Sequence, residues 1–242
     1  MRCAAVLTAA GSGTRLGHAL PKALVPLGGT PLLVHAARGL VASGVVDGVV
    51  VTAPDGYLDA VASLFPGGRV PGSDVPVLVV VGGATRQASV AAGLAALDDV
   101  APGCEGVLVH DAARCLAGPE LVRRVVAALE AGHGAVVPGV PVTDTVKRVV
   151  DLPGGGARVV ETPERSTLRA VQTPQGFTRE LLERAHRLGA ERADDETRAV
   201  SDDAGLVESL GEEVHLVPGE AAALKITTAA DLEVAERLLS SS

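Results

Sequence analysis

The stretch CAAVLTAAGSGTRLG, residues 3–17, followed by Pro21-Lys22, decides how the whole chain folds. Cys3–Thr8 runs apolar without alternation, as a strand buried on both faces of a parallel sheet does. Gly11 and Gly13 then let the backbone turn sharply and let its amides come close to a bound phosphate. An ordinary tight strand-to-helix turn uses the same glycines. The basic pair Arg15 and Lys22, in a chain of formal net charge −8, favours an anion. The loop is not a Walker motif, since no GxxxxGK[ST] fits it. Nor is it a clean GxGxxG, because Leu16 takes the third glycine's place. Thr52 and Ala53 end the second strand where a dinucleotide site carries an acid for the ribose.

Working outward, strand, loop and helix keep alternating. Pro31 opens a helix with Leu32, Leu33, Ala36, Ala37 and Leu40 on one stripe, and Gly44 follows its end. Strands are expected at Gly48–Ala53, Val75–Val81, Gly106–His110 and Gly134–Pro138. Helices are expected at Tyr57–Leu64, Arg86–Leu97 and Pro119–Ala131. The rhythm breaks over 140–172, where Thr145–Val150 and Arg158–Glu161 read as two strands joined by the glycines 154–156. Such a hairpin has no core of its own and serves as a lid or as an arm for a partner subunit. A helix at Arg179–Leu188, a short one at Asp203–Leu210, a strand at Glu213–Pro218 and a helix at Asp231–Leu239 complete the chain. This pattern predicts one α/β domain over 1–239 with a doubly wound, mostly parallel sheet, a β-arm at 140–172 and a disordered tail at 240–242.

The bulk properties exclude several roles. A net negative chain does not hold nucleic acid by bulk electrostatics. No apolar run is long enough to span a bilayer as a helix. The three cysteines, Cys3, Cys104 and Cys115, match no zinc spacing. Their odd number, with no leader-like segment, points to a reducing cytoplasm.

Ligands of such sheets bind beyond the carboxyl ends of the strands, so the residues there carry the functional reading. Gly82-Gly83 precede a helix start at which Arg86 and Ser89 share a face, either an anion site or a capped helix with a solvated arginine. Asp111 follows the fourth strand, placed to hold a divalent ion beside a triphosphate or to serve as a turn residue. His110 reads as a packing histidine. Asp202 and Asp203 read as acids complementing a helix dipole rather than as a metal pair.

Taken together, these motifs resemble a known family. AlaAlaGlySerGlyThrArgLeuGly with ProLys is similar to the glycine-rich signature of the Rossmann-like nucleotidyltransferases. GlyGlyAlaThrArgGlnAlaSerVal (82–90), ValHisAspAlaAlaArg (109–114), ThrAspThrValLys (143–147), GlnThrProGln (172–175) and LysIleThr (225–227) narrow it to the 2-C-methyl-D-erythritol 4-phosphate cytidylyltransferases. The motifs follow the family order from about residue 4 to 239. The sequence departs from the family at Cys115, usually Pro, and at Ala223, often Asn.

The resemblance implies a cytidylyl transfer from CTP to methylerythritol phosphate, with Mg²⁺ as cofactor. It implies that Ala9, Ala10, Gly11, Ser12 and Gly13 hold the phosphates and that Arg15 and Lys22 are catalytic. Gly82, Gly83, Arg86, Ser89 and Ala112 fall to the nucleotide. Asp111, Arg114, Thr145, Arg165, Thr173 and Lys225 fall to the acceptor, with Asp111 also on the metal, and the hairpin becomes a homodimer arm. A cytidylyltransferase for another polyol phosphate, such as ribitol 5-phosphate, shares nearly all these motifs. A non-catalytic nucleotide-binding protein is the alternative of another class, and turnover of CTP separates it from both enzymes.

Overall fold

The structure, a computed structural model, describes residues 1–11, 20–190 and 202–240. Its strands are β1 (Cys3–Thr8), β2 (Pro26–Leu27), β3 (Thr30–Pro31), β4 (Val46–Ala53), β5 (Val77–Val81), β6 (Gly106–Asp111), β7 (Ala135–Pro141), β8 (Arg148–Asp151), β9 (Ala157–Glu161), β10 (Arg169–Val171), β11 (Gln175–Thr178) and β12 (His215–Pro218). Its helices are α1 (Leu32–Ala42), α2 (Leu58–Ala62), α3 (Arg86–Ala95), α4 (Pro119–Glu130), α5 (Arg179–Gly189), α6 (Asp203–Glu208) and α7 (Ala229–Ser240).

The main sheet has eight strands and runs β5-β4-β1-β6-β11-β7, with β10 and β12 also paired to β7. Strands β5, β4, β1 and β6 are mutually parallel, and β12 is parallel to β7. The expected doubly wound, mostly parallel sheet is therefore present, with one departure. β11 lies antiparallel between β6 and β7, and β10 pairs antiparallel with β7.

β1 shows why the apolar run is continuous. Cys3, Ala5 and Leu7 face one core, shared with Leu33 and Leu40 of α1 and with Val122, Val125 and Leu129 of α4. Ala4 and Val6 face a second core, with Val90 and Leu94 of α3, Leu182 of α5 and Leu206 of α6. Helices cover both faces, so Cys3 through Leu7 are all buried and only Thr8, at the cleft end, is partly exposed. Gly93 lets α3 lie this close, since a Cβ there sits 3.2 Å from Val6 Cγ2 and 3.3 Å from Thr52 Cγ2.

The segment 140–172 divides differently from the expected arm. Val140 and Pro141 finish β7, and Arg169–Val171 return to pair with it. The arm's ladder joins β8 and β9, whereas Thr145–Lys147 lie outside any strand. The chain end also differs from expectation, because α7 runs through Ser240, whose hydroxyl donates to the Glu236 carbonyl at 2.8 Å. Residues 241 and 242 lie outside the described residues.

Candidate active site

A cleft of about 360 Å³ opens beyond the carboxyl ends of β1, β5 and β6. Backbone bonds tie these ends together: Ala9 N–H donates to the Thr52 carbonyl at 2.9 Å and Gly82 N–H to the Ala53 carbonyl at 2.8 Å. Gly82 must be glycine for this approach, because a Cβ meets Ala10 Cβ at 2.6 Å and Ser89 Oγ at 2.9 Å. Thr85 caps α3, its hydroxyl accepting from Ala88 N–H at 3.0 Å. The Ser89 hydroxyl is buried and donates to the Thr85 carbonyl at 2.8 Å.

The cleft gathers Ala9, Ala10, Gly11, Lys22, Gly83, Arg86, Ser89, Asp111, Ala112 and Lys225 from the expected set. Gly82 lies immediately beneath it. Ser12, Gly13 and Arg15 lie outside the described residues.

Asp111 is the electrostatic centre. The residue is 7% exposed. Oδ1 accepts from Arg86 Nε at 3.0 Å and from Thr8 Oγ1 at 3.3 Å, and Oδ2 pairs with Lys225 Nζ at 2.8 Å. Burial raises a carboxyl's pKa, but here Arg86 and then Lys225 outweigh it and hold Asp111 well below the usual carboxylate range. Lys225 is brought in from the far end of the chain because Ile226 N–H bonds the Ala113 carbonyl at 2.8 Å.

Two expected ligands make contacts to the scaffold and do not line the cleft. Thr173 sits beneath the strand end, where its hydroxyl accepts from Asp111 N–H at 3.0 Å and lies 2.9 Å from His110 Nδ1. Arg114 points to backbone, donating to the carbonyls of Ala223 at 2.9 Å and Val171 at 3.1 Å. That buried Ala223 carbonyl is the contact made at one of the two departures from the family. Thr145 and Arg165 are not brought to the cleft. They lie on the arm, where Arg165 donates to the Thr143 carbonyl at 2.7 Å.

The dipole reading of the two adjacent acids needs correction at one position. Asp202 does cap α6, accepting from Gly205 N–H at 3.1 Å. Asp203, 1% exposed, instead accepts from Arg86 Nη1 at 2.6 Å and pairs with His186 Nε2 at 2.8 Å. Sequence reading misses these contacts because they join Asp203 to residues 117 and 17 positions away. Among the described residues no three His, Cys, Asp or Glu side chains cluster for a metal, and no helix is long and apolar enough to cross a membrane.

Glycine-lined strand ends, convergent cations and a buried carboxylate lining the cleft of a doubly wound sheet define an α/β nucleotidyltransferase. The family model for 2-C-methyl-D-erythritol 4-phosphate cytidylyltransferase (IspD) matches residues 3–241. The chain belongs to that family. It is 51% identical over 235 residues to 2-C-methyl-D-erythritol 4-phosphate cytidylyltransferase of Rhodococcus opacus, covering 97% of this chain and 94% of that one. The crystal structure of the Thermus thermophilus enzyme of that name is 38% identical with a TM-score of 0.71, covering 97% and 98%. A crystal structure of 4-diphosphocytidyl-2C-methyl-D-erythritol synthase from Anaerococcus prevotii has a TM-score of 0.78 at 28% identity, covering 98% of each chain.

Proposed function

We propose that this chain transfers the cytidylyl group of CTP to 2-C-methyl-D-erythritol 4-phosphate, giving 4-diphosphocytidyl-2-C-methyl-D-erythritol and pyrophosphate in isoprenoid biosynthesis. The observation that carries the reading is the convergence of Lys22, Arg86 and Lys225 on one cleft around Asp111, in a chain that is acidic overall. A phosphate oxygen of the acceptor attacks the α-phosphorus of CTP, and the bond to the bridging oxygen of pyrophosphate breaks. The nucleophile is already ionised near neutral pH, so no general base is needed. Positioning and charge neutralisation carry the step. Lys22 places its ammonium on the phosphates, and Arg15, outside the described residues, is assigned the same role from its place in the sequence motif. Gly82, Gly83 and Ser89 shape the nucleoside side, and Lys225 faces the acceptor.

Mg²⁺ fits Asp111 as an ion shared with phosphates, since one buried carboxylate at the cleft is the protein share such an ion requires. Asp111 would hold such an ion, which would supply charge neutralisation to the reacting phosphates. Thr145 and Arg165 reach an acceptor only if the arm serves a second copy. That assignment is supported by the apolar side chains the arm exposes, Val149, Val150, Leu152, Val159 and Val160. A lone two-stranded ribbon gains too little from itself to keep them in water. The three unpaired, buried cysteines suit a reducing cytoplasm.

The test is pyrophosphate release from CTP and Mg²⁺ with methylerythritol 4-phosphate or ribitol 5-phosphate as acceptor. Release with the first alone is expected. Release with ribitol phosphate moves the acceptor assignment, and release with neither removes the catalytic reading.

A further inference from the structure

The guanidinium of Arg86 is shared unequally. Nε meets Asp111 Oδ1 at 3.0 Å, Nη1 meets Asp203 Oδ2 at 2.6 Å, and Nη2 is buried with no hydrogen-bond partner among the described residues. In a planar guanidinium Nε and Nη2 lie on one edge, the edge that normally grips both oxygens of a carboxylate. Here that grip on Asp111 is incomplete. Only Oδ1 is taken, and Oδ2 is left for Lys225 at 2.8 Å on the cleft side. The pull of Asp203 on Nη1 accounts for the incompleteness. Asp203 is itself fixed, since His186 Nε2 on α5 holds Oδ1 at 2.8 Å.

The charges agree with this geometry. Arg86 alone, facing Asp111 alone, closes a neutral pair. With Asp203 also on Arg86, the three groups keep one net negative charge, and of the two carboxylates only Asp111 lines the cleft, with Oδ2 the oxygen that Arg86 leaves to Lys225. We infer that Asp203 is a positioning residue, acting through Arg86 to stop that arginine from closing on Asp111, so that Oδ2 stays available to cations in the cleft. His186 supports it by orienting the Asp203 carboxylate. Neither Asp203 nor His186 lines the cleft, so neither is a catalytic residue. The inference rests on the cytidylyltransferase reading for its effect on turnover, but not for its effect on Lys225.

The variant is Asp203→Asn, which keeps the shape and an oxygen for hydrogen bonding but removes the charge. In nucleotide-free protein, labelling of Lys225 by acetic anhydride is followed by peptide mass spectrometry. Released from Asp111, Lys225 is expected to label several-fold faster, with other lysines unchanged. In turnover, kcat is expected to fall on the order of 10-fold to 100-fold while CTP binding by calorimetry changes far less. In an Asp111→Asn background, Asp203→Asn is expected to cost nothing further, because both act at one point. A purely structural Asp203 costs the same in both backgrounds. His186→Gln, which leaves the charge in place but frees its orientation, serves if Asp203→Asn does not fold, with a smaller rise in labelling. Unchanged Lys225 labelling in the folded variant overturns the inference whatever the enzyme does. A wild-type protein without CTP turnover, but with the labelling change, overturns the functional reading alone.

Discussion

His110 makes the fold acid-sensitive in a window that the carboxylates do not share. It is 1% exposed, directly before Asp111. The Thr173 hydroxyl accepts from Asp111 N–H at 3.0 Å and lies 2.9 Å from His110 Nδ1. Burial is the largest cause pushing the His110 pKa down from 6.5 to about 4, against the opposing pull of Asp111. A histidine depressed in the fold contributes stability above its unfolded pKa, and that stability is lost as pH falls through the folded one. Linkage gives a loss of about 2 kcal/mol between pH 8 and pH 5, approaching about 3 kcal/mol below pH 4. Asp111 and Asp203 are also depressed, but a carboxylate's contribution is lost only below about pH 4. Between pH 6.5 and 4 the slope therefore belongs to the histidine. Urea unfolding across that range measures it, with His110→Asn as the control that keeps a hydrogen-bonding group for Thr173 but does not titrate. The variant is expected to be less stable at pH 8 yet to lose less than half as much on acidification. Parallel curves for the two proteins refute the reasoning.

Lys22→Ala is expected to lower kcat on the order of 10²-fold to 10³-fold, as loss of one preorganised electrostatic group does, read by pyrophosphate release. Gly83→Ala puts a Cβ 2.8 Å from the Ala88 carbonyl carbon, against helix backbone that has no rotamer to yield. About 1–3 kcal/mol of stability is expected to go, seen as a lower Tm, together with weaker CTP binding as α3 shifts. Val149 and Val159 are cross-strand partners on the arm, so glutamate at both is expected to leave the body folded and give monomers by sedimentation.

The sequence made the parallel part of the fold legible because burial on both faces leaves a strand no reason to alternate. β1, β4 and β6 each read as an apolar run ending in small or polar residues, and that rule placed Asp111 and the glycines of 82–83 at the ligand end of the sheet. β11 was not legible. Gln175–Thr178 carries Gly and Thr, follows Pro174, and looks like a loop until β6 and β7 are present on either side to bury it. β10 is too short and too exposed to signal anything locally.

The same division separates the two kinds of functional residue. Asp111 and Lys22 could be found because chemistry and chain position coincide, each sitting where a strand or loop delivers it. Asp203 could not be found in that way. Its neighbours in sequence make it the second of two acids at a helix start, and for Asp202 that reading is right. For Asp203 the fold supplies Arg86 from one helix and His186 from another. A buried acid satisfied by such partners is built into the interior rather than displayed at its edge. An unpaired charge there costs far more than a surface one, so a carboxylate in the position of Asp203 needs both of these partners. The cleft of an acidic protein thus gathers its cations around Asp111 and is backed by a second carboxylate outside its lining. A motif search confined to the cleft lining misses that second carboxylate.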